Sequence, residues 1–359
     1  MAEEYLPEHI LYHILLRMPT KSVIRFKCLS KQWNRLISDP SFMESRARRM
    51  NFLPSLPFHV IDDNVTVNDD MAPSTIKLFS PLINSKKYTK ITVVGSFNGI
   101  VLLVLENHKT SNAWYNHYDH DMMLYNPLSG EFKTLPHSGT FDGRYCNYVY
   151  GFGYSTTADD IKIVRLKEVS CRLEFSEVFS LKNWSWSRPS KVGLESSEVF
   201  GLKNWSWSRR SKVKGYSTYG RYSGTFVNGF LYWVVKDRTC YIPLILALDI
   251  NTMVFSDIKV PDGRWLNRLG RYNGRLCMFC SKMNVEGYEL RVMNEHGFWS
   301  TICLFAPRPT TLISYSNNFG MLCILDDGKL LMSRSSKQPV IYDVFEDSYV
   351  QGGDWLNGF

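Results

Sequence analysis

The chain has 359 residues, of which 44% are hydrophobic and 21% charged, with a formal net charge of +8. That apolar fraction excludes a disordered chain, and the length accommodates two or three domains. No run of about 18 apolar residues occurs, so no membrane-spanning helix is expected, and the basic excess falls in residues 1–50 and 170–214 rather than forming the strongly basic domain of a nucleic-acid binder.

The start, Met1-Ala2-Glu3-Glu4, lacks the basic residues and apolar run of a secretory leader. A cytoplasmic or nuclear location is therefore expected, with the eight cysteines as reduced thiols. From Leu6 to Met18 the apolar residues Ile10, Leu11, Ile14, Leu15 and Met18 fall on an amphipathic stripe, with Pro7 suited to the first helical turn and Pro19 to its end. Thr20 is placed to cap a second short helix through Val23, Ile24 and Phe26. Ser30 is placed to cap a third, with Trp33, Leu36 and Ile37 on one side, before Asp39-Pro40 ends it.

Three helices in so short a span are expected to be too small to enclose a core, since folding below about 40 residues usually needs outside help. The apolar surface of Leu6, Ile14, Leu15, Ile24, Phe26 and Trp33 must then be covered by the rest of the chain or by another protein, and the pattern alone leaves both open. The residues Leu6-Pro7, Ile14 to Ser22, Arg25 to Trp33 and Leu36 to Phe42 resemble the F-box of plant F-box proteins, with Met18 and Val23 where Leu is common. The resemblance implies docking to a Skp-family adaptor and, through it, to the cullin scaffold of an SCF ubiquitin ligase. Carried across by position, it implies that Leu6, Pro7, Ile14, Leu15, Pro19, Ser22, Val23 and Trp33 form or support that contact, so that a charge at Leu15 abolishes adaptor binding.

An F-box module over residues 1–50 and a linker over 51–57, where Pro54 and Pro57 interrupt regular structure, precede a different pattern. From residue 58 to 359 short β-runs alternate with turn signals, among them Ile91–Val94, Ile100–Leu105, Ile161–Leu166, Phe230–Val235, Leu244–Ile250, Leu290–Met293, Met321–Leu325 and Leu330–Ser333. Asn228-Gly229, Asn273-Gly274 and Asn318 recur 45 residues apart, each ahead of an apolar strand, and Asn98-Gly99 opens another. Asn-Gly accepts positive φ at both positions, as a tight meander turn requires. Repeats of this length with several strands each are the footprint of propeller blades, about six of them in the available span. The alternative is a sandwich with chance similarities.

Gly95-Ser96-Phe97-Asn98-Gly99, Leu124-Tyr125-Asn126-Pro127, Gly151-Phe152-Gly153-Tyr154, Asp159 to Val164, Glu177 to Leu181, Val227 to Trp233 and Leu290 to Met293 resemble the F-box-associated domain of plant F-box/kelch-like proteins. The likeness runs from about residue 90 to 305 and implies the substrate-recruiting half of such an adaptor. Plant S-locus F-box proteins, which recognise stylar ribonucleases in self-incompatibility, share the architecture. The fold expected is thus α+β multidomain: a three-helix F-box, then an all-β, kelch-like propeller.

Within it, residues 173–214 are a tandem duplication. Leu173–Gly193 recurs as Leu194–Lys214, differing only at Phe175/Ser196, Ser180/Gly201, Pro189/Arg210 and Gly193/Lys214. One copy can occupy the native strand positions, so the other is expected as an added hairpin or a loop. Such an insertion costs little at a surface, and it would also offer a basic, Trp-bearing contact face. The candidate target-binding residues are accordingly Trp184, Trp186, Trp205, Trp207, Arg209 and Arg210, with Trp114 and Tyr115 from a second polar loop.

Cys277-x-x-Cys280 lacks a partner pair at zinc-site spacing, and residues three apart on a strand point to opposite faces, so both are expected as core thiols. His117-x-x-His120 reads as a surface loop rather than a metal site. No phosphate-binding glycine loop, dinucleotide fingerprint or nucleophile elbow is present, and no cofactor is expected. The expected function is that of a non-catalytic subunit recruiting an unknown target protein for ubiquitination and proteasomal degradation. A non-degradative scaffold and a glycan-binding propeller are the alternatives.

Overall fold

The computed structural model describes residues 7–18, 20–39, 42, 50–52, 59–62, 75–77, 88, 90–97, 100–107, 111–112, 115–116, 119–126, 131–136, 146–169, 172–186, 190–191, 197–201, 206–210, 216–218, 223–261, 264–282, 288–294, 297–305, 320–324, 330–333, 339–343 and 348–350. Three helices come first: α1 (Glu8–Arg17), α2 (Thr20–Phe26) and α3 (Lys31–Ile37). Glu8 stands in the first turn of α1, where the N-terminal end of the helix dipole favours a carboxylate. Ser30 caps α3 by accepting a hydrogen bond from the Trp33 backbone N–H at 3.1 Å.

The helices do enclose a core, contrary to the expectation from size. Leu11, Leu15, Leu16, Val23, Leu36, Ile37 and Phe42 are buried against one another, flanked by Tyr12, Met18, Phe26 and Trp33. All of these residues lie within the helical segment and none belongs to the sheets. Two edge-to-face aromatic pairs close its sides, Tyr12 on Phe42 at 5.3 Å and Phe26 on Trp33 at 5.1 Å.

Beyond the helices the described residues form antiparallel sheets, each built from strands close to one another in the chain. The first is β1 (Met50–Phe52), β2 (His59–Asp62) and β3 (Thr75–Lys77); β1 lies where the linker was expected. Next come β4 (Lys90–Phe97), β5 (Ile100–Asn107), β8 (Asp119–Tyr125) and β9 (Phe132–Thr134), with a side hairpin of β6 (Ser111–Asn112) and β7 (Tyr115–Asn116). The third holds β10 (Cys146–Ser155), β11 (Asp160–Val169), β12 (Arg172–Ser180) and β13 (Ser185–Trp186), with β14 (Ser190–Lys191) also on β12. A separate hairpin follows, β15 (Ser197–Gly201) with β16 (Ser206–Arg210). Then come β17 (Tyr216–Thr218), β18 (Thr225–Val227), β19 (Phe230–Asp237), β20 (Pro243–Asp249) and β21 (Val254–Lys259). The last two sheets are β22 (Arg264–Tyr272), β23 (Arg275–Lys282), β24 (Tyr288–Met293) and β25 (Trp299–Phe305), and β26 (Gly320–Ile324), β27 (Leu330–Ser333), β28 (Pro339–Asp343) and β29 (Ser348–Val350).

Strands near the start of each sheet adjoin in series: β1 meets β4, β4 meets β10, β10 meets β18, β18 meets β22 and β22 meets β26. Sheets so arranged bury both faces of their middle strands, which is why Ile100–Leu105 and Leu244–Leu248 read as unbroken apolar runs rather than alternating ones. Successive side chains divide between neighbouring cores. Val149 and Val164 pack with Leu231, Trp233 and Leu246 of the following sheet, whereas Tyr150, Phe152 and Ile163 pack with Leu102, Val104 and Leu124 of the preceding one.

The two Asn-Gly turns within the described residues have the anticipated form. Asn228 and Gly229 have φ of 48° and 81°, and Asn273 and Gly274 of 46° and 72°. Asn98-Gly99 and Asn318 lie outside the described residues.

Candidate functional site

The α1 stripe splits into two. Successive helical residues are about 100° apart, so the apolar residues from Ile10 to Leu16 reach further round α1 than the neighbouring helices cover. Leu11 and Leu15 turn inward, Leu15 fully buried, while Ile10 and Ile14 keep 41% and 44% exposure. Leu29, between α2 and α3, is also exposed. Of the predicted adaptor residues, Ile14 and Pro7 are therefore exposed, Ser22 and Trp33 half-buried, and Leu15 and Val23 buried inside the helical core. Leu15 and Val23 thus support the surface from beneath rather than forming it. Leu6 and Pro19 lie outside the described residues. Ile10 was in the predicted stripe but was not singled out, because only the packing of α2 and α3 decides which flank stays bare. The surface also carries an ion pair, Arg35 Nη2 to Glu8 Oε1 at 3.2 Å, joining α3 to α1. Its exposure to solvent makes it a weak contributor to stability.

The duplicated segment is divided between two sheets. The first copy supplies β12, β13 and β14 beside β11, and the second forms the hairpin β15–β16. Trp184 sits in the first copy's turn with φ 49°. It is half-buried, edge-to-face on Phe179 at 5.4 Å, and Lys133 Nζ lies 3.7 Å from the centre of its ring. Trp184 therefore fills the seam between two sheets and presents only part of its ring. Trp186 pairs with Phe179 across the ladder, and Trp207 pairs with Phe200, with Arg209 opposite Glu198 and Arg210 opposite Ser197. Tyr115 lies in β7 opposite Asn112. Trp205, Trp114 and His117 lie outside the described residues.

An apolar surface not anticipated from the sequence lies on β25 and the residue just before it. Phe298, Ile302 and Leu304 are exposed, and Ile302 borders an open depression of about 410 Å³ also lined by Tyr272, Asn273, Arg275, Val292, Asn294 and Ser300. The rungs Leu290–Cys303 and Arg291–Thr301 are consecutive on β24 but skip a residue on β25, so Ile302 is the extra residue of a bulge in β25 and has no rung of its own. Apolar alternation alone carries no sign of such a bulge.

Cys277 and Cys280 are both fully buried, on opposite faces of β23: Cys277 packs with Phe279, Leu290 and Leu330, and Cys280 with Leu276, Met278 and Leu266. Burial pushes the Cys277 thiol far above its ordinary range. Lys162 is one of three buried cations on β11, with Arg165 and Lys167. Its Nζ donates to the Ile250 carbonyl at 3.1 Å, and burial lowers its pKa against the opposing pull of Asp160 and Asp249. Beside it the Asn251 Oδ1 accepts from Ser155 Oγ at 3.0 Å and from the Thr157 backbone N–H at 3.3 Å. These bonds tie the β10–β11 turn to the β20–β21 turn, a task of assembly between sheets.

Comparison with known proteins accords with this geometry. Residues 4–45 match the F-box domain family, and residues 82–347 match the family described as F-box associated beta propeller domain. The second match spans well over half of the chain, which belongs to that F-box-associated β-propeller family. Among plant relatives, the chain is 27% identical to the Arabidopsis thaliana F-box protein At3g16210 over 83% of this chain and 73% of that protein. It is 26% identical to the Arabidopsis F-box protein CPR1 over 94% and 82%, and 24% identical to the Arabidopsis F-box/kelch-repeat protein At3g23880 over 83% and 78%.

Proposed function

We propose that this chain is the substrate-recognition subunit of an SCF-type ubiquitin ligase. The observation that carries the proposal is the divided α1 stripe: the helices seal their own core with Leu11 and Leu15, yet Ile10 and Ile14 remain bare beside it. Two β-branched apolar side chains on a folded helix form a docking edge that a Skp-family adaptor would cover, and a cullin scaffold would join through the adaptor.

The sheets, read as six kelch-like blades, would hold a target protein. Aromatic residues, above all Trp and Tyr, and arginines are the usual anchors of such contacts. The duplicated hairpin (Trp186, Trp205, Trp207, Arg209, Arg210), the edge of Trp184, the Trp114–Tyr115 segment and the β25 surface are the places to seek them. The chain would act without bond chemistry of its own. Holding a target beside a charged ubiquitin-conjugating enzyme raises the effective concentration of its lysines. The setting for that reaction is the cytoplasm or nucleus.

Co-purification with a Skp-family adaptor and cullin from plant extract tests the reading. Recovery of both, lost on Ile14→Asp, supports it. Capture of the adaptor without cullin would replace it with a non-degradative scaffold, and capture of neither would refute it.

A further inference from the structure

The spare hairpin is a near-duplicate of a strand pair already in use, and the two share a register. In the first copy Phe179 faces Trp186 and Ser180 faces Ser185. In the second, Phe200 faces Trp207 and Gly201 faces Ser206, the same rungs displaced by the length of the repeat. The second ladder runs unbroken from Ser197–Arg210 to Gly201–Ser206. The first shifts between Trp186 and Ser190, an interval whose sequence includes Pro189, which has no N–H to donate.

From Lys162 to Leu166, β11 pairs in turn with Ser180, Phe179, Val178, Glu177 and Ser176. The second copy offers Gly201, Phe200, Val199, Glu198 and Ser197 for those rungs, a change at one of them. Phe179 is a fully buried member of the core between the second and third sheets, and Phe200 supplies the same side chain. A two-stranded hairpin by itself is marginal in water, so β15–β16 gains by joining a sheet as much as its twin does.

From these relationships we infer that the two copies exchange places on β11. In the exchanged form the second copy completes the third sheet, and the first becomes the spare hairpin, leaving the sheet before β12 rather than after β14. Either way one repeat is looped out, so the closure entropy is nearly unchanged. The differences at four positions set the balance. Ser180 Oγ accepts the Asn183 backbone N–H at 3.1 Å to close the turn, a bond that Gly201 cannot offer, and Phe175 faces Lys167 where the second copy has Ser196. The first copy is thus the major occupant and the second the minor one, a two-state element within one sheet. The exchange moves a Trp-Ser-Trp-Ser hairpin from one exit of the sheet to the other, whatever the chain recruits.

Cysteine trapping in the full chain tests this. Val164→Cys with Val178→Cys should close in the described register. Val164→Cys with Val199→Cys can close within one molecule only after exchange, because a disulfide requires closely apposed Cα atoms. Under oxidised glutathione, with the linked peptides identified by mass spectrometry, the 164–178 bond should dominate early and the 164–199 bond accumulate more slowly in monomers. Adding Phe175→Ser should speed the second roughly tenfold, the factor given by about 1.4 kcal/mol in the balance. No 164–199 bond once the 164–178 control has closed fully, or one confined to dimers, overturns the exchange. If cysteines perturb the sheet, deletion of residues 173–193 serves instead. That chain should melt cooperatively within a few degrees of one lacking 194–214, and its failure to fold equally overturns the inference.

Discussion

Asn228 donates its side-chain amide to the carbonyl of Gly274 at 2.9 Å, linking the tight turn of one sheet to the corresponding turn of the next. Both turns are Asn-Gly pairs held at positive φ, so one residue type serves the local turn and the contact between repeats. The structure turns a periodic sequence signal into a bond.

Asn228→Ala removes this donor and puts Ala at a φ of 48°. A lost hydrogen bond of about 0.5–1.5 kcal/mol adds to about 1 kcal/mol for the left-handed backbone. Urea denaturation should show a loss of roughly 1.5–2.5 kcal/mol. Asn228→Gly, which keeps the conformation but not the donor, should lose less.

Gly151 lies where β10 meets the next sheet. A Cβ there would stand 2.6 Å from Trp233 Cζ2 and 2.9 Å from Leu231 Cδ1. Trp233 cannot readily withdraw, because its indole N–H donates to the Tyr150 carbonyl at 3.1 Å. Gly151→Ala should cost about 1–3 kcal/mol as an overpacked seam. Gly274→Ala meets nothing within 4 Å and pays only for its φ of +72°, about 1 kcal/mol, so thermal melting should rank the two in that order.

Ile14→Asp and Leu15→Asp should fail in different ways. The first alters a bare side chain, so helical circular dichroism should persist while adaptor capture falls at least about tenfold. The second places a carboxylate inside the helical core and should open that segment to protease before any adaptor is added. Equal protease resistance with equal loss of capture would show instead that both residues touch the adaptor.

Tyr216, on β17, has its phenol pushed from an ordinary 10.0 up to about 12 by burial first and then by Asp257 and Asp237. The unfolded chain releases that proton at lower pH than the folded chain. The contribution to stability is therefore whole below pH 10 and drains away as pH rises from 10 toward 12. The denaturation midpoint should fall through that window, and fall less steeply in Tyr216→Phe.

Cys28 and Cys240 are exposed, whereas Cys277 and Cys280 are sealed in separate cores. Iodoacetamide at pH 8 should label the first pair at least about a hundredfold faster than the second, since only an accessible thiolate reacts. In denaturant all four should label together.

Much was legible in the chain itself. The three helices, the cap at Ser30, the Asn-Gly turns and the unbroken apolar strands were readable because each depends on neighbours a few residues away, through period, capping chemistry or permitted φ. Even the opposite facing of Cys277 and Cys280 follows from strand geometry alone.

What depended on distant residues had to wait for the fold. Whether Ile14 or Leu15 stays bare is decided by where α2 and α3 lie, and Ile302 stands at a bulge of β25 that shows only in its pairing with β24. Which copy of a near-identical repeat joins β11 turns on small differences at a few positions, weighed against a sheet the repeat does not encode. Local rules fix the kind of element and the pattern of its faces; only packing fixes which face is used, because burial belongs to the pair of surfaces that meet.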